Sequence, residues 1–384
     1  MAAAARAAEL KAAGVDVISL TVGEPDFETP EHIVEAALEA MRRGDTRYTA
    51  ADGTPALKEA VARKFKRENG LDYAPEQISV GAGAKQVILN AFLASLAPGD
   101  EVVIPTPSWV SYADMVRLAE GEPVIVPCSA DEGFKLTPAA LEAALTERTR
   151  WLLLNSPGNP TGAIYTADEL RALGDVLAGY PLVHVMMDDI YEHIRFDGLP
   201  FATMAEAVPG LYDRTLTING VSKAYAMTGW RIGYAGGPVG LIRGMKTIAS
   251  QSTTNPSSVS QAAAVAALDG PQEFLATRAA AFERRRDMAL GRLAEIPGLS
   301  CTVPDGAFYL YPSVAGVIGK RTPEGSVLAG DGDVSLYLLE AARVATVQGA
   351  AFGGSPHVRM SIAVSDEDLA WAMDRVAESV AVLA

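Results

Sequence analysis

Short apolar runs alternate with helical segments along most of this 384-residue chain. Such alternation predicts an α/β fold with a mostly parallel central sheet sandwiched by helices. Ligands of such sheets bind beyond the carboxyl ends of the strands, so functional residues are expected there. The predicted strands are residues 78–80, 101–104, 123–126, 151–154, 182–187, 215–218 and 232–235.

The alternation weakens after about residue 270, and the chain is long enough for its core to divide. We therefore predict a large domain over residues 26–270 and a smaller α+β domain formed by residues 1–25 and 271–384. Two helices have recognisable starts and stops. Thr29 and Pro30 are expected to cap and start one that runs to Gly44, and Thr54 and Pro55 another that stops at Gly70.

The charge balance limits the partners of the chain. With 32 basic and 47 acidic side chains the formal charge is -15, which disfavours nucleic acid and anionic membrane surfaces. An anionic ligand must therefore be held by a few local cations and backbone amides. The two cysteines form no legible disulfide framework, which favours the cytoplasm, and the four histidines show no zinc-ligand spacing. No metal and no membrane-spanning segment are expected.

Lys223, in the segment SKAYAMTGWRIGY, follows a predicted strand. A loop lysine is usually a solvated surface charge. Small and apolar neighbours favour a different role here, because desolvation lowers the pKa of a lysine and leaves a neutral amine that forms an imine. Arg231, eight residues later, offers a planar and permanently charged fork that suits a phosphate.

The segment GAGAKQ follows the first of the predicted strands. Gly83, Ala84 and Lys85 are expected to present free amides at a helix N-terminus, which fits a single phosphate. The alternative is a tight strand-to-helix turn without a ligand. A dinucleotide site, as in a nicotinamide dehydrogenase, is disfavoured because Gln86 stands where that fingerprint needs Gly or Ala.

Asp188 ends an apolar run, where an acid needs a cationic or hydrogen-bonding partner. A protonated pyridine nitrogen is such a partner, and an aspartate there keeps the ring able to accept an electron pair. Tyr191 and Asn159 are candidates to donate to a ring oxygen beside the imine. The alternatives are that Asp188 or Asp189 caps a helix that begins at residue 190, and that Tyr191 only packs.

Several longer motifs together resemble one family, the fold-type I, class I aminotransferases, which depend on pyridoxal 5'-phosphate. The similarity extends from about residue 10 to the C-terminus and is greatest to the bacterial aspartate aminotransferases of the Thermus and rhizobial type. The matching motifs are VGEPDF (22–27), RYTAADGTPAL (47–57), PSWVSYADMVRLA (107–119), NSPGNPTG (155–162), DDIYEH (188–193) and NGVSKAYAMTGWRIGYAGGP (219–238).

The resemblance assigns a role to each matching position. It implies that Lys223 holds the cofactor as a Schiff base and then shuttles a proton, that Asp188 pairs with the pyridine nitrogen, and that Tyr191 assists at the phenolic oxygen. Asn159 is the second residue at this oxygen, and Trp109 stacks on the ring, although a loop tryptophan is more often generic packing. The residues implied around the phosphate are Gly83, Ala84, Lys85, Ser222 and Arg231.

Two further positions concern a partner and the substrate. Tyr48 matches the tyrosine that reaches the phosphate of the neighbouring subunit, which implies a homodimer with shared active sites; the alternative is a surface tyrosine. Arg359 matches the arginine that binds the substrate α-carboxylate, with the backbone of Gly23, Trp109 and Asn159 nearby, and the alternative is an exposed arginine.

The resemblance implies ping-pong transamination between amino acids and 2-keto acids, with aspartate and 2-oxoglutarate favoured. The alternatives are an aminotransferase for aromatic or neutral amino acids, a β-lyase on the same fold, and a non-catalytic cofactor-binding protein. Specificity is in question because the chain is expected to start after a segment that borders the substrate side chain in relatives. Four residues also depart from the family pattern, namely Ser108, Gln348, Ala351 and Ile362.

Overall fold

The computed structural model describes residues 6–384 except residues 8 and 11. Residues 1–5, 8 and 11, which belong to the predicted small domain, lie outside the described residues. The described strands are β1 (Ile18–Ser19), β2 (Ile78–Gly81), β3 (Glu101–Thr106), β4 (Glu122–Pro127), β5 (Thr149–Asn155), β6 (His184–Asp188), β7 (Thr215–Gly220), β8 (Gly233–Gly236), β9 (Tyr309–Leu310), β10 (Val344–Ala345), β11 (Val347–Gln348) and β12 (Val358–Ser361).

Helices connect and cover these strands. They are α1 (Glu31–Arg43), α2 (Pro55–Asn69), α3 (Ala84–Ser95), α4 (Ser111–Leu118), α5 (Pro138–Ala144), α6 (Ala167–Leu177), α7 (Met204–Ala207), α8 (Val239–Gln251), α9 (Ser258–Asp269), α10 (Glu273–Ala294), α11 (Asp331–Tyr337) and α12 (Asp366–Ala381). Among the described residues, no helix combines the length and the apolar character that crossing a bilayer requires.

Seven strands form one sheet in the order β2-β8-β7-β6-β5-β3-β4. Six of them run in the same direction, and β8 is antiparallel to both of its neighbours, β2 and β7. The predicted α/β fold with a mostly parallel sheet is therefore confirmed. The reversal of β8 has a functional consequence, because the residues that precede β8 lie at the same edge as the residues that follow the other strands.

The central strands are buried on both faces. Trp151 and Leu153 of β5 pack with α3, α4 and α8, whereas Leu152 and Leu154 pack with α5 and α6 on the opposite face. Successive side chains of a strand point to opposite faces, so a run that is apolar at every position fits a sheet covered on both sides. This packing explains why the sequence shows continuous apolar runs.

The remaining strands form smaller sheets built from the two ends of the chain. Strands β9, β11 and β12 make an antiparallel sheet in the order β11-β12-β9, and β1 pairs in parallel with β10. One apolar cluster joins Ile18 and Leu20 to residues of β9, β12 and α12. The terminal segments thus pack together, while the exact domain boundaries at residues 26 and 270 stay a prediction.

One of the two predicted helix caps is correct. The Thr54 side chain accepts a hydrogen bond from the Leu57 N–H, and α2 ends at Gly70 as expected. The prediction for Thr29 is wrong: α1 has no side-chain cap, and the Thr29 hydroxyl donates to the Ala226 carbonyl instead. Thr29 therefore fastens the start of α1 to the loop after Lys223.

Candidate active site

A cavity of about 470 Å³ lies at the carboxyl edge of the seven-stranded sheet, between this edge and the terminal segments. Four cationic and two acidic side chains line it, so its charge opposes the net charge of the chain. This arrangement fits the expectation that local cations hold an anionic ligand. The lining residues that the sequence predicted are Gly23, Ala84, Lys85, Trp109, Asn159, Asp188, Tyr191, Ser222, Lys223, Arg231 and Arg359.

The turn between β2 and α3 forms a cradle. Gly83 has a φ of 87°, in the left-handed region that favours glycine, and a Cβ at this position would meet the Arg231 guanidinium. Arg231 precedes the reversed strand β8 and donates to the carbonyls of Ala82 (3.2 Å) and Thr228 (2.9 Å). A guanidinium beside the open N-terminus of a helix is suited to a phosphate.

The Lys223 amine lies inside the cavity and donates to the Gly23 carbonyl at 2.6 Å. Burial lowers the pKa of Lys223 to about 8, and the positive charges of Arg231 and Arg359 add to this effect. The negative charges of Asp188 and Glu24 oppose it. A lysine with this pKa is partly neutral near neutral pH, as nucleophilic attack on an aldehyde requires.

Asp188 is buried at the end of β6. Its carboxylate accepts hydrogen bonds from the Tyr112 hydroxyl (2.6 Å) and the Ile190 N–H (3.3 Å). Burial raises the pKa of Asp188, whereas these hydrogen bonds and the charge of Lys223 oppose the rise. The alternative role as a helix cap is not observed, because residues 190–193 form turns rather than a helix.

Asp189, the other candidate cap, is also fully buried. Neither of its carboxylate oxygens has a hydrogen-bond partner among the described residues. Burial raises the pKa of Asp189 well above its usual range. It therefore caps no helix, and of these two aspartates only Asp188 lines the cavity.

Tyr112 was missed by the sequence analysis. Its ring is fully buried and contacts the edge of the Trp109 ring, with 5.3 Å between the ring centroids. In the segment SWVSY, the sequence gives no signal for Tyr112 beyond its place three residues after Trp109. Its hydroxyl is a permanent donor to Asp188, because burial and the nearby carboxylate raise the pKa of Tyr112 well above its usual range.

Arg359 is buried on β12 and is held in one orientation. Its Nη1 donates to Asn159 Oδ1 at 3.0 Å and its Nη2 to the Thr21 carbonyl at 2.8 Å. The Arg359 Nε has no partner among the described residues. Arg359 is therefore not an exposed arginine, and its position suits a carboxylate ligand.

Tyr309 on β9 also lines the cavity and was given no role by the sequence analysis. Its hydroxyl lies 3.0 Å from the Tyr191 hydroxyl, and the Arg359 Cζ lies 4.4 Å from the centre of its ring. The segment GAFYLYP, which contains Tyr309, is an aromatic-rich run. Its closeness to Tyr191, 118 positions earlier, depends on tertiary packing.

Other predicted or questioned residues lie outside the cavity. The Tyr48 side chain does not line the cavity in this chain, and it is 89% exposed. The four residues that depart from the family pattern, Ser108, Gln348, Ala351 and Ile362, do not line it either. These departures therefore change no wall of the cavity that surrounds Lys223.

Three side chains that could bind a metal ion lie together, away from the cavity. Glu68, Glu192 and His193 bring three ligand atoms together, but the buried Lys64 ammonium contacts both glutamates, at 3.4 Å from Glu68. Burial would raise the pKa of Glu68, but the hydrogen bond with His193 and the charge of Lys64 lower it to about 2. The Lys64 ammonium thus balances the charge of the two carboxylates in this cluster.

Comparisons with known proteins agree with this geometry. Residues 15–376 match the family model described as "Aminotransferase class I and II". The aspartate aminotransferase of Rhizobium meliloti (strain 1021) is 57% identical over 373 residues, which cover 97% of this chain and 91% of the relative. The aspartate/prephenate aminotransferase of Cereibacter sphaeroides is 57% identical over 371 residues, which cover 97% and 93% of the two chains.

Solved structures are similar over nearly the whole chain. The crystal structure of the Rhizobium meliloti aspartate aminotransferase has a TM-score of 0.97 at 55% identity and covers 100% of this chain and 96% of that one. The Thermus thermophilus aspartate aminotransferase with maleate has a TM-score of 0.92 at 42% identity, with 98% and 95% covered. These matches confirm the predicted fold type.

Proposed function

We propose that this chain, which belongs to the class I and II aminotransferase family and is a transaminase, takes its amino group from L-aspartate and passes it to 2-oxoglutarate. One observation carries the proposal. A single cavity is lined by a buried lysine with a lowered pKa and by separate cations for the two carboxylates of a dicarboxylic substrate. Relatives that are 57% identical are named for aspartate, and one of them also for prephenate.

The enzymes of this family depend on pyridoxal 5'-phosphate, and the residues of the cavity fit this cofactor. The Gly83 cradle, the amides of Ala84 and Lys85, Ser222 and Arg231 would hold its phosphate. Asp188 would hold the proton on its pyridine nitrogen, Asn159 and Tyr191 would donate to its phenolic oxygen, and Trp109 would stack on its ring. When bound, the cofactor supplies a protonated ring that accepts the electron pair released as a Cα bond breaks.

The protein groups then have separate tasks. The Arg359 guanidinium binds the substrate α-carboxylate and orients the Cα–H bond. The Lys223 amine takes the proton from Cα and later returns it, as a general base and then a general acid. The Tyr112 hydroxyl donates to the Asp188 carboxylate and so favours its ionised form, against the burial that raises its pKa. The amino donor and the keto-acid acceptor use the same cavity in turn, which gives ping-pong kinetics.

The preference for a dicarboxylic substrate is assigned to Lys85. Arg231 is already proposed for the cofactor phosphate, and Arg359 for the substrate α-carboxylate. Lys223 is the reacting amine. The Lys85 ammonium, which lies 4.7 Å from the centre of a ring of Trp109 and lines the cavity, is thus the cation left for the distal carboxylate of aspartate.

A substrate panel on the purified enzyme tests this assignment. Aspartate should bleach the absorbance of the bound cofactor and yield oxaloacetate, and turnover should require 2-oxoglutarate. The variant Lys85→Met should lower kcat/KM for aspartate by roughly tenfold, the size of one partly exposed charge-assisted contact. Alanine, which lacks the distal carboxylate, should react equally with both proteins.

Other outcomes of the panel identify the alternatives. Ammonia release without an amino acceptor would indicate a β-lyase. Higher kcat/KM for aromatic or neutral amino acids than for aspartate would contradict the proposed donor. Prephenate is the second acceptor to include, because a 57% identical relative is named for it. An unchanged spectrum with every amino acid would favour a non-catalytic binding protein.

A homodimer is part of the proposal. The exposed Tyr48 side chain does not line the cavity of its own chain, and its proposed ligand is the cofactor phosphate of the partner subunit. Sedimentation equilibrium should give twice the chain mass, and Tyr48→Phe should weaken cofactor binding without changing this mass. A monomer with full activity would contradict the assignment. The cytoplasm stays the compartment predicted from the cysteine usage.

A further inference from the structure

Tyr309 connects two parts of the cavity that the proposed function treats separately. Its side chain is 1% exposed, and it lies on β9 within the terminal segments, whereas Tyr191 follows β6 of the large sheet. Its hydroxyl lies 3.0 Å from that of Tyr191, and its ring lies under the Arg359 guanidinium at 4.4 Å. It thus contacts both the residue proposed for the cofactor oxygen and the residue proposed for the substrate carboxylate.

Counting protons gives the direction of the hydrogen bond between the two tyrosines. A phenol has one proton to donate. If Tyr191 donates its proton to the cofactor oxygen, its own oxygen is free only to accept, and Tyr309 must be the donor. Burial raises the pKa of both tyrosines, so both hydroxyls keep their protons at neutral pH.

Resting on the proposed function, we propose that Tyr309 is a positioning residue whose hydroxyl donates to Tyr191 and directs the proton of Tyr191 at the cofactor, while its ring supports Arg359. A donor that itself accepts a hydrogen bond becomes a stronger donor, because the two bonds polarise each other. Tyr309 therefore strengthens the contact of Tyr191 with the phenolic oxygen of the cofactor and favours the state in which this oxygen is negative.

The ring of Tyr309 has a separate effect. A guanidinium over an aromatic face is attracted to the ring, and the contact also limits its tilt. Gly23 adds a further constraint on this side, because a Cβ there would lie 3.3 Å from the Tyr309 hydroxyl. The hydroxyl and the ring are thus separable by substitution: Tyr309→Phe removes only the donor, and Tyr309→Leu removes both.

The first measurement is a pH titration of the absorbance of the bound cofactor in the holoenzyme. The variant Tyr309→Phe should raise the midpoint by roughly 0.2–0.5 pH unit, because it loses the cooperative part of one hydrogen bond. The matched control is Tyr311→Phe, which removes another buried hydroxyl two residues away, one that donates to the Gly354 carbonyl at 2.6 Å. This control should leave the midpoint unchanged.

The second measurement is the binding of succinate, a dicarboxylate that cannot transaminate. Tyr309→Phe should bind it as the wild type does, and Tyr309→Leu should bind it roughly 3–30-fold more weakly, because Arg359 loses its aromatic support. If Tyr309→Leu does not fold, the pH titration of Tyr309→Phe alone tests the inference. A wild-type midpoint in Tyr309→Phe would overturn the inference and leave the proposed function intact. A wild-type protein with no titrating cofactor band would overturn both.

Discussion

The cavity has two walls of different origin. The sheet-edge wall consists of Ala84, Asp188, Tyr191, Lys223 and Arg231, which lie at one edge of the seven-stranded sheet. The terminal wall consists of Gly23, Tyr309 and Arg359, which come from the two ends of the chain. The first wall is built by short turns at strand ends, and the second by contacts between distant segments.

The difference shows how chemistry and substrate binding are separated in this molecule. Residues of the sheet-edge wall are positioned by local backbone geometry, such as the positive φ of Gly83. Arg359 is positioned by Thr21, 338 positions earlier in the chain. Changes in the sheet-edge wall should therefore mainly lower kcat, and changes in the terminal wall should mainly raise KM.

The largest effect is expected at Lys223. Lys223→Ala removes the amine that attacks the cofactor and moves the Cα proton, so kcat should fall by roughly 10⁴-fold or more. Steady-state kinetics with aspartate and 2-oxoglutarate measure this. Lys223→Arg is the matched control: it keeps a positive charge but has no neutral form, and it should be equally inactive. Activity in this control would show that charge alone is needed.

Asp188→Asn should have the next largest effect, a fall in kcat of about 10²–10³-fold, because a neutral amide does not hold the proton on a pyridine nitrogen. The melting temperature should stay equal or rise, since a buried carboxylate that resists ionisation is removed. Kinetics and thermal unfolding of the same preparation check both parts. A variant that loses activity together with stability would contradict the proposed division of roles.

In the terminal wall, Arg359→Lys tests the carboxylate site. A lysine keeps the charge but loses the planar fork that Asn159 and Thr21 hold, so KM for aspartate should rise roughly 10–100-fold. The kcat value should change much less. An unchanged KM combined with a lower kcat would break the comparison between the two walls, because it would place Arg359 in the chemical step.

The smallest effect is a pH dependence of stability in the cofactor-free protein. The folded pKa of Lys223 is about 8 against 10.5 for an exposed lysine, so the unfolded chain binds an extra proton between these values. The resulting destabilisation is complete below pH 8 and disappears as the pH rises to 10.5. Lys223→Met should therefore raise the melting temperature by about 2–4 °C at pH 7 and by less as the pH approaches 10. A gain independent of pH would contradict the lowered pKa.

The two walls also differ in how well the sequence predicts them. The GAGAKQ turn and the Lys223 to Arg231 segment each lie within a dozen residues, so local patterns name their candidate chemistry beside the alternatives of a plain turn and a surface lysine. Arg231 lies at the site because β8 runs antiparallel to β7. The apolar run at residues 232–235 predicts a strand but not its direction. The cap at Thr54 follows a local rule, whereas Thr29 bonds to Ala226, 197 positions away.

Contacts that depend on tertiary packing were accessible only from the structure. Tyr112 belongs to a motif of the sequence, but its bond to Asp188 joins the start of α4 to the end of β6, 76 positions later. Tyr309 meets Tyr191 only because the terminal segments fold over the sheet edge. The roles of Arg359 and Tyr48 came from family resemblance, since no local pattern distinguishes a carboxylate-binding arginine or a tyrosine that reaches a partner from surface residues.

The most direct test of the account is to treat the purified holoenzyme with borohydride and to locate the modification by peptide mass spectrometry. Reduction of an imine makes the bond between the lysine and the cofactor permanent. The peptide that contains Lys223 should carry the added mass of the reduced cofactor, and prior addition of aspartate should lower the labelled fraction. Labelling of a different lysine, or no labelling of a protein that transaminates aspartate, would contradict the account.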